Sequence, residues 1–388
     1  MRDELAVLLR NVVSKACVAL GRGGGPPTAA WLLVLTLATG TGGAAASPLA
    51  AVGYRLNSPV AAEGDAVVVR FALAEPAHVT LTAFDADHAR AATVAASRVL
   101  PAGEVTLTWP CTGDAGGPVA GGVYYFVLEA TSEGGSCRYD PALEGGGEPI
   151  PMEFGQEAYD TQTRQLRFRL DRPGWVRARA GVHSGPLLAT PLDWRPLPAG
   201  DHRIGWDGKD DSGVMDLAAH PGLSIVMEAF GLPPGAVIVA GPARAGSASK
   251  AGGADARALE RLTRVRKTAT ARGVASQYLQ PSAQRISPGF TLSWEGGGLP
   301  VLASKAESLP LRISADPDTV ARLAEQRFEI VTFVDFQRVG EEELGYLPYT
   351  VQVPASALAK GEHTVSVSLV TFGGQASTRS LKVQAGDR

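Results

Sequence analysis

The chain has 388 residues, with 36 basic against 39 acidic side chains and a net charge of −3 at pH 7, a balance that exerts no global pull toward nucleic acid or an anionic membrane. Glycine and proline number 46 and 27, a share that suits many short strands joined by turns. At roughly 100 to 200 residues per domain, the length accommodates two or three domains.

The N-terminus reads as an export leader. Arg2, Arg10, Lys15 and Arg22 precede an apolar run at residues 29–38, followed by glycine-rich sequence and Ala44-Ala45-Ala46. The run is too short for a hydrocarbon core about 30 Å thick, yet it suits the core of a signal peptide with a small-residue cleavage site. Cleavage is expected before Ser47, which makes residues 1–46 a signal peptide and leaves a periplasmic or extracellular protein with no integral membrane span; a retained anchor is the alternative. Cys17 leaves with the leader. Cys111 and Cys137 remain, and in an oxidising compartment a disulfide between them is expected, with two free thiols as the alternative.

Beyond the leader the chain repeats itself at a constant offset of 97 residues. Val69-Arg70-Phe71-Ala72-Leu73 aligns with Leu166-Arg167-Phe168-Arg169-Leu170, Pro76 with Pro173, Val79 with Val176, Pro101-Ala102-Gly103 with Pro198-Ala199-Gly200, and Trp109 with Trp206. This period exceeds that of a solenoid, whose units run roughly 20 to 50 residues, and matches one sandwich domain. The first module, residues 47–146, carries β-branched, alternating strands at residues 67–73 and 79–84, then 105–109, then an aromatic strand at 123–130. The second, residues 147–243, repeats the plan at 166–170, 175–180, 203–206 and 223–230. Trp109 and Trp206, placed identically in both copies, are expected to be core anchors; sugar-stacking platforms are the alternative.

The order of proline, strand, Pro-Ala-Gly, short strand ending in tryptophan, acidic glycine turn and aromatic strand resembles the immunoglobulin-like domain of the flagellar hook-assembly (hook cap) family, which also occurs in exported bacterial proteins. The second module keeps Trp206-Asp207-Gly208, and the first keeps Gly121-Gly122-Val123-Tyr124-Tyr125. Each departs where the other conforms: Trp109-Pro110-Cys111 replaces Trp-Asp-Gly, and His220-Pro221-Gly222-Leu223 replaces the usual Gly-x-Tyr. The resemblance implies an all-β fold of tandem immunoglobulin-like β-sandwiches and transfers no catalytic residue.

Residues 244–285 change character. Nine basic residues face only Asp255 and Glu260; residues 246–253 have flexible-linker composition, and 254–271 are good helix formers. A basic, partly helical linker is expected, with Arg257, Arg261, Arg264, Arg266 and Lys267 as the candidate partner-binding residues and helical spacing placing Arg257, Arg261 and Arg264 on one face. A solvated linker helix is the simpler alternative. Strand patterns return at residues 309–313, 328–334, 349–353, 363–370 and 379–383, making residues 286–388 a third sandwich.

Catalytic constellations are scarce. The histidines are isolated from one another, with no H-E-x-x-H, no G-x-S-x-G and no phosphate loop. Asp207, Asp210 and Asp211 cluster on one turn but lack calcium-loop spacing, so a hydrogen-bonded Asp/Gly turn explains them more simply. No catalytic, cofactor or metal site is expected. The reading is an exported, non-enzymatic structural or adhesive spacer or assembly subunit, its partner a protein or cell-envelope polysaccharide and not nucleic acid; the alternative is an accessory carbohydrate-binding or enzyme-associated module.

Overall fold

Side-chain alternation decides the sheets. Along Val67–Leu73, Val67, Val69, Phe71 and Leu73 are buried while Arg70 is exposed, so the strand gives one face to a core and the other to solvent. A computed structural model describes residues 47–152, 158–242, 256–274, 276–280, 282–303 and 306–386. The expected leader and residues 244–255 of the linker lie outside the described residues.

The first sandwich comprises β1 (Arg55–Leu56), β2 (Val60–Ala61), β3 (Val67–Leu73), β4 (Ala77–Asp85), β5 (Arg90–Leu100), β6 (Gly103–Trp109), β7 (Gly122–Ser132) and β8 (Gly135–Tyr139), followed by a short helix, α1 (Pro141–Glu144). One sheet has the order β1-β3-β6; in the other, β4 lies between β5 and β7, with β8 alongside β7. Between them sit Val69, Phe71, Leu81, Trp109, Phe126 and Leu128. The second sandwich comprises β9 (Tyr159–Asp160), β10 (Gln165–Leu170), β11 (Gly174–Val182), β12 (Leu187–Leu197), β13 (Gly200–Gly205) and β14 (Leu223–Gly231), in sheets β13-β10-β9 and β12-β11-β14. Its core holds Leu166, Val176, Ile225 and Met227.

The sequence repeat extends to single hydrogen bonds. Trp109 Nε1 donates to Thr112 O at 2.9 Å, and Trp206 Nε1 donates to Lys209 O at 3.0 Å. Asp114 accepts from Thr93 N at 2.7 Å, and Asp211 from Thr190 N at 3.0 Å. Left-handed backbone recurs at Ser97 (φ 46°) and Trp194 (φ 39°), and at Cys111 (φ 55°) and Gly208 (φ 80°). Cys111 therefore occupies a position where its sister module uses glycine.

After β14 the chain returns to the first sandwich. The strand β15 (Val237–Val239) pairs antiparallel with β7 and parallel with β2, and Val237 and Val239 join the first core. Residues 237–239 thus pair outside the module in which the sequence places them. The cause is an edge of β7 left open at residues 122–124 and an apolar, β-branched Val-Ile-Val that fits it. Gly121 permits the approach, because a Cβ there would lie 2.2 Å from Gly241 O.

The third sandwich follows helix α2 (Ala256–Ala271) and two single-turn 3-10 segments, Ser276–Leu279 and Ser282–Arg285. It comprises β16 (Thr291–Ser293), β17 (Val301–Leu302), β18 (Ser308–Ser314), helix α3 (Pro317–Ala324), β19 (Phe328–Val334), β20 (Gln337–Glu342), β21 (Tyr349–Pro354), β22 (Gly361–Thr371) and β23 (Ala376–Ala385), in sheets β16-β18-β21 and β17-β23-β22-β19-β20. Leu309, Leu311, Ile330, Val353 and Val367 lie in its core. It meets the second sandwich through polar groups and one aromatic ring: Thr378 Oγ1 donates to Leu187 O at 2.7 Å, Ser380 N to Ser212 Oγ at 2.8 Å and Arg177 Nη1 to Gly374 O at 2.7 Å, while Phe336 packs against the second core, 5.0 Å from His220. Arg379 lies 3.7 Å from Asp211.

Candidate functional site

Helix α2 lies against the outer face of the first sandwich. Its inward stripe is Arg261, Val265, Ala269 and Arg272, one residue per turn. Val265 and Ala269 are buried, and Val265 packs with Val123, Tyr125 and Val127 of β7 and Ala142 of α1. The two arginines make the polar contacts. Arg261 engages both carboxylate oxygens of Asp140, one through Nη1 and the other through Nη2 at 3.0 Å, and Nη2 also donates to Tyr125 Oη at 2.8 Å. Its guanidinium lies over Phe84, 3.9 Å from the ring centroid. Arg272 donates to Leu143 O at 2.7 Å and Gly146 O at 3.1 Å and pairs with Glu148 at 3.2 Å.

The electrostatics of this cluster follow from its burial. Asp140 and Arg261 side chains are 3% and 9% exposed. Burial pushes the Asp140 carboxyl up, but hydrogen bonds and charge from Arg261 and Arg138 outweigh it and hold the group below the usual carboxylate range. Burial pushes the Tyr125 phenol up. His88 Nδ1 lies 2.8 Å from Tyr125 Oη, and burial, then the Arg261 charge, lowers its pKa to about 4. Tyr125 Oη accepts from Arg261 and lies within hydrogen-bonding distance of His88 Nδ1, so the three side chains form one connected chain.

The residues singled out from sequence therefore separate. Arg261 turns inward, away from the face on which it was expected, because a buried carboxylate, a phenol and an aromatic ring meet its guanidinium. Arg264, Arg266 and Lys267 are exposed, and among the described residues none of them pairs with a carboxylate. Arg257 lies in the first turn of α2, its side chain outside the described residues. Asp140, Tyr125, Phe84 and His88 carried no sequence signal, since Arg261 lies 121 residues from its partner Asp140.

Trp109 is 1% exposed, 5.5 Å from Phe126 and 5.2 Å from Tyr124. Trp206 is 9% exposed and 4.8 Å from Tyr159. Each lies in the core of its own sandwich. The expected Cys111–Cys137 disulfide is corrected: both thiols are free. Cys111 follows Trp109, which sits at Tyr124 and Phe126, whereas Cys137 pairs with Ala130. Phe126 and Ala130 are about 13 Å apart along β7 at the usual strand rise, so the two cysteines lie toward different ends of that strand. Burial, with Asp65 nearby, raises the Cys111 thiol pKa.

The aspartates of the acidic turn hold backbone N–H groups. Asp207 accepts from Lys209 N, Asp210 from Ser212 N and Met215 N, and Asp211 from Thr190 N. Among the described residues no group of three or more His, Cys, Asp or Glu side chains could hold a metal ion. No helix among them is long and apolar enough to cross a membrane.

Residues 56–134 match the FlgD Ig-like domain. The match falls within the first sandwich. Among solved structures, the fibronectin(III)-like modules of Clostridium thermocellum CbhA are 16% identical over 26% of this chain and 98% of theirs, with a TM-score of 0.19. A Ca2+-stabilized adhesin with which an Antarctic bacterium binds ice is 10% identical over 87% of this chain and 75% of its own, with a TM-score of 0.19. Escherichia coli alpha-2-macroglobulin is 11% identical over 87% and 23%, with a TM-score of 0.18. No curated protein sequence matches the chain. The immunoglobulin-like architecture of the chain stands on its own sheets and on the family match.

Proposed function

We propose that the chain is an exported, non-enzymatic structural or adhesive protein that holds an anionic macromolecule, a protein or a cell-envelope polysaccharide, on the outward face of α2. The observation that carries this reading is that Arg264, Arg266 and Lys267 are exposed around the solvent side of a helix that Arg261 and Arg272 fasten to the first sandwich. A helix clamped in this way presents its charges in a fixed geometry, so less side-chain and backbone freedom is lost on binding. Three sandwiches in contact act as the scaffold.

Binding through exposed charges weakens with salt, because they are screened over about 8 Å at physiological ionic strength. The test is a pull-down at low and high salt, comparing the native chain with the Arg264→Gln, Arg266→Gln, Lys267→Gln triple variant. A partner kept equally by both at both salts places binding on the sandwiches and refutes the reading.

One observation favours the alternative carbohydrate-binding role. Tyr346 is 63% exposed, with Tyr349 at 5.1 Å, and an exposed ring offers a stacking surface. Retention of a neutral polysaccharide, lost in Tyr346→Ala and indifferent to salt, would select it.

A further inference from the structure

The contacts around Arg261 form a receptor for a guanidinium group. Phe84 supplies a stacking face, 3.9 Å from Cζ. Asp140 supplies both carboxylate oxygens, and Tyr125 Oη accepts a further N–H at 2.8 Å. Such a planar fork of acceptors matches guanidinium and not a compact ammonium. The receptor is rigid: Tyr125 is fully buried in the middle of β7, Phe84 stacks on it at 5.9 Å, and Arg138 Nη2 steadies Asp140 at 3.3 Å. Every one of these groups belongs to the first sandwich, whereas Arg261 comes from outside it.

Apart from Arg261, the helix is held by Arg272 and by a small apolar contact. Among its described side chains only Val265 and Ala269 are fully buried, and most helical stability in proteins comes from such packing. The arginines are therefore its anchors, as buried arginines are at protein interfaces. An anchor of this kind is exchangeable with any helix that presents the same group above the same small apolar residues.

We propose that the first sandwich carries a binding site for an arginine side chain, that Arg261 fills it in cis, and that a partner helix takes the place of α2 there. The occupant is a helix with arginine at position i and small apolar residues at i+4 and i+8, the spacing that α2 itself uses. The site is distinct from the exposed Arg264, Arg266 and Lys267.

Chemical rescue of the full chain tests it. Arg261→Ala empties the site, and saturating methylguanidinium is expected to raise the melting temperature of that variant by about 4 to 8 °C, the shift expected from ligand binding at several times Kd to a domain of this size. Methylammonium is expected to do nothing, and Arg261→Ala with Asp140→Asn is expected to lose the rescue. Equal effects of the two cations, or no effect of either, overturn the proposal. A peptide of residues 256–274 added to Arg261→Ala should bind one to one, and the same peptide with alanine at position 261 should not. If Arg261→Ala fails to fold, the native chain takes its place: the peptide, on the order of 1 mM because it competes with a tethered helix, should speed amide exchange across residues 260–271. Unchanged exchange there overturns the proposal.

Discussion

Val237→Ala perturbs the strand that the first sandwich borrows from beyond the second. Val237 has no exposed surface and packs in the first core, while its backbone pairs opposite Tyr124. Removing two methyl groups forfeits about 1.6 kcal/mol of transfer free energy. A residual cavity of about 40 Å³ adds about 1 kcal/mol, for a total near 2.5 kcal/mol. On a domain of about 100 residues this lowers the melting temperature by roughly 10 to 20 °C. Hydrogen exchange read by mass spectrometry locates the loss: peptides from β3, β4, β6 and β7 should lose protection, and those from β10, β11 and β14 should keep it. Loss confined to residues 165–231 would show that β15 stabilises the sandwich it follows in sequence and would refute the strand-return reading.

Cys111 sits at φ 55° where the sister module has glycine, so Cys111→Gly should be more stable than Cys111→Ala by about 1 kcal/mol, because alanine keeps the left-handed strain; urea titration showing the usual order, alanine above glycine, rules out that strain. Trp206→Ala should cost about 3 to 5 kcal/mol and unfold the second sandwich, and exchange protection retained across β10 and β11 would contradict it. His88 has its pKa lowered to about 4 from 6.5, so the unfolded chain binds the proton first: the stability it confers is complete above pH 6.5 and fades between pH 6.5 and 4, by about 3 kcal/mol. A pH series of melting curves showing no steeper acid loss than His88→Gln would refute this. His363 has its pKa raised, chiefly by its 2.6 Å bond to Asp335, so its contribution is full below the unfolded value and fades as pH rises through the folded one; an NMR titration giving a lowered His363 pKa would reverse the sign.

What the sequence made legible is what repeats or alternates. The offset of 97 residues pointed to paired modules because Trp109 and Trp206, with their indole bonds three residues onward, occupy equivalent turns. Alternation at residues 67–73 and 363–370 marked strands because one face of each meets a core. The route of β15 was hidden, since three β-branched residues after a Pro-Pro-Gly turn look the same whichever sheet they join; only the open edge of β7 and the bare backbone at Gly121 decide it. The disulfide expectation failed for a related reason. Cysteine count says nothing about which end of a strand each thiol occupies. Arg261 was read from helical spacing as an outward charge, and spacing cannot see that Asp140, more than a hundred residues away, is a buried acceptor.

The two joints of this molecule differ in kind, and the difference bears on what α2 can do. Between the first and second sandwiches the joint is topological: β15 follows β14 in the chain yet lies in the first core, so separating the two means unpairing a strand and exposing Val237 and Val239. Between the second and third it is a set of side-chain and backbone hydrogen bonds around Thr378, Ser380 and Gly374, each worth about 0.5 to 1.5 kcal/mol net, with Phe336 packed against the second core. The second joint can therefore part without unpairing a strand. The helix α2 is fastened upstream of that joint, to the first sandwich through Asp140 and the carbonyls of Leu143 and Gly146. Its outward charges keep their geometry as long as α2 stays docked on the first sandwich, whatever the third is doing.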